Sequence, residues 1–246
     1  MSGHSKWANI KHRKAKGDAA RANVFTKLGR ELAVAVKDGG PDPVSNGRLR
    51  DVIAKAKASN MPNDNIMRSI KKASGEGGNI NYENIVYEGY APGGIAVIVE
   101  SLTDNKNRTA GDVRHIFDKH GGALGLPNCV SYMFDRKGVI IVDKQDISED
   151  DIFMLAIDAG ADDVAVEEDA YEVYTLPNDY LKVKDALENG GLKILESSVD
   201  YIPQNTIKPE TEELEAKVQK IIDTLEDLDD VQNVYHNAEL SEGEDE

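Results

Sequence analysis

The sequence predicts an α+β protein of three domains, an N-terminal three-helix bundle plus two ferredoxin-like α+β domains. Three observations predict it. Apolar residues recur at helical spacing through the first 76 residues. A glycine-rich stretch, "SGEGGNIN", then gives way to β-branched and aromatic runs. Finally, residues 136–207 alternate as strand, helix, strand, strand, helix, strand, the split ferredoxin-like order.

The first helix is expected from Asp18 to Lys37, with Ala22, Phe25, Leu28, Leu32, Ala35 and Val36 on its apolar face. Asp38-Gly39-Gly40-Pro41 ends it. The second fits Asn46 to Ser59 around Leu49, Val52, Ile53 and Ala56. The third fits Asn63 to Ala73, with Ile66, Met67 and Ile70 inward and Pro62 in its first turn. Together they define a helical domain over residues 1–76.

"NIVYEGYAP" and "GIAVIVESL" read as paired strands turned by Pro92-Gly93-Gly94. "NRTAGDVRHIFDKHGG" reads as a helix with Asn107 as N-cap and Gly121 near its end, and "CVSYMF" as another strand. This unit, residues 82–135, is half built. A long acidic helix and a strand within residues 208–240 cannot bury a core alone, so they are expected to return and complete it. In the ferredoxin-like domain, "SEDDIFMLAIDAG" is a helix with Ser148 as N-cap and an acidic first turn. Residues 241–246 read as a disordered acidic tail.

The formal net charge of −16 conceals a division. Residues 1–72 hold 16 Lys and Arg against 6 Asp and Glu, whereas the remainder holds 13 against 39. Such asymmetry points to contact of the basic part with a polyanion. The clustered cations are Lys6, Lys11, Arg13, Lys14, Lys16, Arg21, Lys27 and Arg30, too poorly supplied with acids to be a salt-bridged face. They are the expected nucleic-acid-binding residues, and nucleic acid is the expected partner. Trp7, the single tryptophan, is expected to pack rather than stack on a base. "TDNKNRT" follows a strand and opens a helix. Asn105, Lys106, Asn107 and Arg108 therefore form a secondary anion or partner loop beside outward-pointing backbone N–H groups.

No catalytic residues stand out. His115 and His120 are poorly placed to share a helix face, and no His-Glu-x-x-His or phosphate-binding Gly-Lys-Ser/Thr motif occurs. The single cysteine, Cys129, has no local histidine and forms no internal disulfide. The expectation is a non-enzymatic protein with no cofactor, no metal and no small-molecule substrate. No apolar run nears the length of a bilayer span, and no secretory signal opens the chain. A cytoplasmic protein without a membrane partner is expected.

"SGHSKWANIKHRKAKGDAARANVFTKLGREL" closely resembles the opening of the YebC family. The likeness continues through "GGPDPVSNGRLRDVIAKAKASNMPNDNI", "YEGYAPGGIAVIVESLTDNKNRT", "DVRHIFDKHGGALG" and "FDRKG". Lys106 stands where the family more often has Arg, and Asn128 and Cys129 replace a Gly-Ser pair. The resemblance implies three domains with a discontinuous middle one, and no enzyme activity. It also implies one of two roles. Many members are called transcriptional regulators that bind DNA. Others resemble translation factors, including a mitochondrial translational activator and bacterial relatives described as acting at the ribosome on difficult, proline-rich nascent chains. The first role needs a recognition helix, for which Asn65, Arg68, Lys71 and Lys72 are available. The acidic body favours the second, because it suits a partner met at one end only.

Overall fold

The computed structural model describes Trp7 and residues 18–75 and 81–241, with backbone alone for residues 18–21 and 146. It is α+β, with a helical bundle and two four-stranded antiparallel sheets. The bundle and the first sheet form one compact unit. The second sheet and its helices, with Trp7, form another.

The bundle consists of α1 (Asp18–Gly39), α2 (Gly47–Ala58) and α3 (Asn63–Ser74). Its core takes Leu28, Leu32, Ala35 and Val36 from α1, and Leu49, Val52 and Ala56 from α2. Ile66 and Ile70 come from α3. The predicted periodicity holds except at Met67, which is 64% exposed. It lies one residue beyond Ile66, about 100° round the helix, and so leaves the stripe that Ile66 and Ile70 share. Asn46 joins the first two helices. Its Oδ1 accepts from the Leu49 N–H at 3.0 Å, and its Nδ2 donates to the carbonyls of Ala35 at 2.7 Å and Gly40 at 2.8 Å.

In the first sheet, β1 (Glu83–Ala91) and β2 (Ile95–Thr103) form a central hairpin. β3 (Ala123–Leu124) flanks β1, and β8 (Val231–His236) flanks β2, in the order β3-β1-β2-β8. The hairpin turns at Gly93 and Gly94, whose φ angles of +80° and +74° suit glycine. Ile95 to Val99 are fully buried, so β2 is covered on both faces. α4 (Lys106–Lys119) packs on this sheet through Val113, Ile116 and Phe117. α7 (Glu212–Glu226) buries Val218, Ile221, Ile222 and Leu225. The late helix and strand thus return to the early hairpin.

Two expectations fail here. α4 is capped by Asn105, whose side chain accepts from the Arg108 N–H, and Asn107 lies inside the first turn. "TDNKNRT" offers two asparagines, and Thr103 decides between them, because its Oγ1 accepts the Asn105 N–H at 2.9 Å and fixes the entry. "CVSYMF" is not a strand. Residues Ser131–Met133 make a 3₁₀ turn that leaves Tyr132 69% exposed, and β4 begins only at Phe134.

The second sheet has the order β5-β6-β4-β7, formed by β4 (Phe134–Asp143), β5 (Asp163–Val166), β6 (Ala170–Thr175) and β7 (Ile194–Pro203). α5 (Glu149–Ala159) and α6 (Tyr180–Asn189) cover one face, where Ile152, Ala156, Val183 and Leu187 meet Ile140, Val142 and Val173. Ser148 caps α5 as expected. The alternate residues Val139, Ile141 and Ala170 point the other way and meet Trp7, which is 8% exposed. Trp7 therefore packs, but on this sheet and not among the helices of the bundle. No helix among the described residues is long and apolar enough to cross a membrane.

Candidate nucleic-acid interface

Of the expected nucleic-acid-binding residues, Lys6, Lys11, Arg13, Lys14 and Lys16 lie outside the described residues, as does the side chain of Arg21. Lys27 and Arg30, on α1, are described, and both are engaged within the fold. Lys27 Nζ donates to the Glu226 carbonyl at 2.5 Å, and Asn23 Nδ2 to the Asp227 carbonyl at 2.8 Å. These groups close the C-terminus of α7, where unpaired carbonyls carry the negative end of the helix dipole.

Arg30 donates to the carbonyls of Asp229 at 2.7 Å and Leu102 at 3.2 Å, and forms an ion pair with Asp230. The same carboxylate receives Arg108 from the first turn of α4. Arg108 Nη2 lies 2.8 Å from Asp230 Oδ2 and 3.0 Å from Oδ1, and Nε lies 3.2 Å from Oδ2. Thr109 Oγ1 adds a hydrogen bond of 2.6 Å, and Thr103 Oγ1 one of 3.3 Å. Burial acts to raise the Asp230 pKa. The hydrogen bonds from Thr109, Arg108 and Arg30 outweigh it and hold the carboxyl below its ordinary value.

The secondary loop is therefore divided. The Asn105 side chain is spent on the cap and Arg108 on Asp230 and Asp104, while Lys106 and Asn107 remain exposed. Asp230 was not legible as a site residue. It is one of 45 acidic residues and lies 122 positions from Arg108. Further cations face solvent on α3, where Arg68, Lys71 and Lys72 are exposed.

Among the described residues, no group of His, Cys, Asp and Glu could hold a metal ion. Cys129 is half-buried, and burial followed by the nearby Glu88 carboxylate pushes its thiol pKa up, away from the reactive thiolate.

The layout of a basic leading segment, a helical bundle and two α+β sheets, with the last strand returned to the first sheet, matches known proteins along its whole length. Residues 5–76 match the TACO1/YebC N-terminal domain, and residues 82–238 match the TACO1/YebC second and third domains; the chain belongs to this family. A probable transcriptional regulatory protein of Acetivibrio thermocellus is 58% identical over 238 residues, covering 96% of this chain and 98% of the relative. One from Thermoanaerobacter pseudethanolicus is 55% identical over 247 residues, with both chains covered in full. The crystal structure of a conserved hypothetical protein from Aquifex aeolicus superposes with a TM-score of 0.86 at 48% identity. It covers 98% of this chain and 99% of its own.

Proposed function

We propose that this protein is a non-enzymatic, nucleic-acid-binding regulator of gene expression that acts at the ribosome, gripping rRNA phosphates through its basic N-terminal segment and aiding the synthesis of difficult, proline-rich chains. The observation that carries this reading is the division of charge together with the employment of the body's cations. Lys27, Arg30 and Arg108 are held by carbonyls and by Asp230 inside the fold. Among the eight clustered cations, phosphate contact then falls to Lys6, Lys11, Arg13, Lys14, Lys16 and Arg21, ahead of an acidic body that repels any polyanion extending past them. The partner is met at one end, which suits a structured particle better than a long duplex.

The second reading is a DNA-binding transcriptional regulator. The relatives' description as probable transcriptional regulatory proteins favours it. The two readings differ in preference. A regulator selects one sequence by about 10³-fold or more over random duplex, and a ribosome factor does not.

The test is co-sedimentation with ribosomes, in parallel with duplex DNA binding, across a salt series. It uses the intact protein and a variant with Lys11, Arg13, Lys14 and Lys16 changed to Ala. Ribosome binding that the variant loses supports the proposal, and the log–log salt slope should flatten by about 3 when four phosphate contacts go. Sequence-selective duplex binding with no ribosome binding overturns it in favour of the second reading.

A further inference from the structure

A cleft of about 410 Å³ opens between α1, α3 and the residue just before β1. Phe25, Arg30 and Lys37 line it from α1, Ser69 and Lys72 from α3, and Tyr82 from the far side. Gly29 forms part of its floor. The lining includes three cations and two aromatic rings and no acid, in a protein whose formal net charge is −16. Solvated charged faces mix both signs, and apolar clefts lack cations, so neither accounts for this composition.

Each component has a chemical consequence. Lys37 and Lys72 are exposed, with long flexible stems that can converge on a phosphate. Lys37 Nζ donates to Asn81 Oδ1 at 2.7 Å, which draws it toward Tyr82. The Tyr82 ring is half-buried, and the Arg30 guanidinium lies 5.9 Å from its centroid. Arg30 is in turn fixed by Asp230, so one face of the ring is held by a positioned cation. A flat π-system can stack on the ring, as bases do in single-strand-binding grooves. The volume falls in the range of pockets that hold one small ligand and is far too small for a duplex.

We infer that this cleft binds one unpaired nucleotide of a nucleic-acid strand, its base stacked on Tyr82 and its phosphate held between Lys37 and Lys72. The inference rests on the nucleic-acid-binding reading above and gives the bundle a contact of its own, separate from the basic leading segment.

The test is fluorescence anisotropy of a labelled, unstructured ten-nucleotide RNA on the full-length protein, with a 4-thiouridine copy for photocrosslinking. Tyr82→Ala should weaken binding by about five-fold or more, the smaller end of the range for losing one base–aromatic stack. Lys37→Ala with Lys72→Ala should weaken it and lower the salt slope by about 0.7, for one single-strand phosphate contact. Gly29→Leu fills the cleft without changing charge. A Cβ there meets only Ser69 Oγ, at 3.7 Å, so the variant should fold yet bind as poorly as Tyr82→Ala. The crosslink should map to the peptide containing Tyr82. Unchanged affinity in all three variants overturns the inference, as does competition by a free mononucleotide as strong as that by the oligonucleotide. If the oligonucleotide fails to bind while ribosomes do, the cleft proposal falls and the functional reading stands. If no nucleic acid binds in any form, both fall.

Discussion

Arg108 and Asp230 meet across 122 residues of chain, with the Arg108 guanidinium reaching both oxygens of the carboxylate. Arg30 closes on the same carboxylate from α1, so one acid ties the bundle, the first turn of α4 and the lead into β8. Asp230→Asn should cost about 3 kcal/mol in urea unfolding, because two guanidinium groups lose a largely buried partner. Acid titration gives the second readout. The pKa of Asp230 is held below its unfolded value, ~3.9. Its contribution is therefore complete above that value and is lost as pH falls through the lower folded one. The acid limb of the stability curve should be shallower in Asp230→Asn than in the parent.

Asn46 gives a sharper contrast. Asp is as good an N-cap as Asn in general. Here the amide also donates to the carbonyls of Ala35 and Gly40. Asn46→Asp keeps the cap and turns a carboxylate oxygen toward those two acceptors. It should destabilise by about 2 kcal/mol, and Asn46→Ala by a similar amount from the lost cap and unpaired carbonyls. Equal stability of Asn46→Asp and the parent in thermal melts would show that the two donor bonds contribute nothing.

The backbone N–H of Trp7 donates to Glu172 Oε1 at 2.6 Å, and the Tyr174 hydroxyl bonds to the other oxygen. Glu172 is fully buried. As Trp7 is the single tryptophan, its emission reports on this contact alone. Acrylamide should quench it poorly in the parent. Glu172→Leu removes both acceptors and should expose it to quenching, whereas Glu172→Gln keeps an oxygen for the Trp7 N–H and should stay near the parent. Burial, then the Glu172 charge, raise the Tyr174 pKa. Tyr174 should be the last tyrosine to ionise in an alkaline absorbance titration.

Gly89 lies where β1 passes β3. A Cβ there would come 2.5 Å from the Ala123 carbonyl oxygen and 2.9 Å from the Phe117 ring. The first obstacle is backbone of the neighbouring strand, which cannot swing aside. Gly89→Ala should lose about 2 kcal/mol. Amide exchange should rise first at Leu124, which pairs with Gly89.

Local chemistry made the elements legible. Helical spacing found Leu28, Leu32, Leu49 and Ile70, and Ser148 announced α5. Residues whose partners are distant were not legible. Arg30 and Arg108 read as free cations because Asp230 resembles every other acid in the run that follows α7. Met67 departs from the expected inward face because the helical angle, and not hydrophobicity, sets its orientation. "CVSYMF" has strand composition, yet Val130 is buried and Tyr132 exposed by a tight turn and not by strand alternation. For the expected binding residues the described portion supplies Lys27 and Arg30 alone, and both have structural partners.

The placement of β8 beside β2 sets a timetable for biosynthesis. α1, α2, α3 and the β1–β2 hairpin leave the ribosome first, but the strand that covers the hairpin's open edge spans Val231–His236. Until it arrives, β2 presents an unpaired edge of buried-type residues, Ile95 to Val99, and Arg30 and Arg108 have no shared carboxylate. A chain released before Asp230 would carry a bundle unfastened from its sheet and an adhesive strand edge, so the first sheet can close only after every strand of the second has been made.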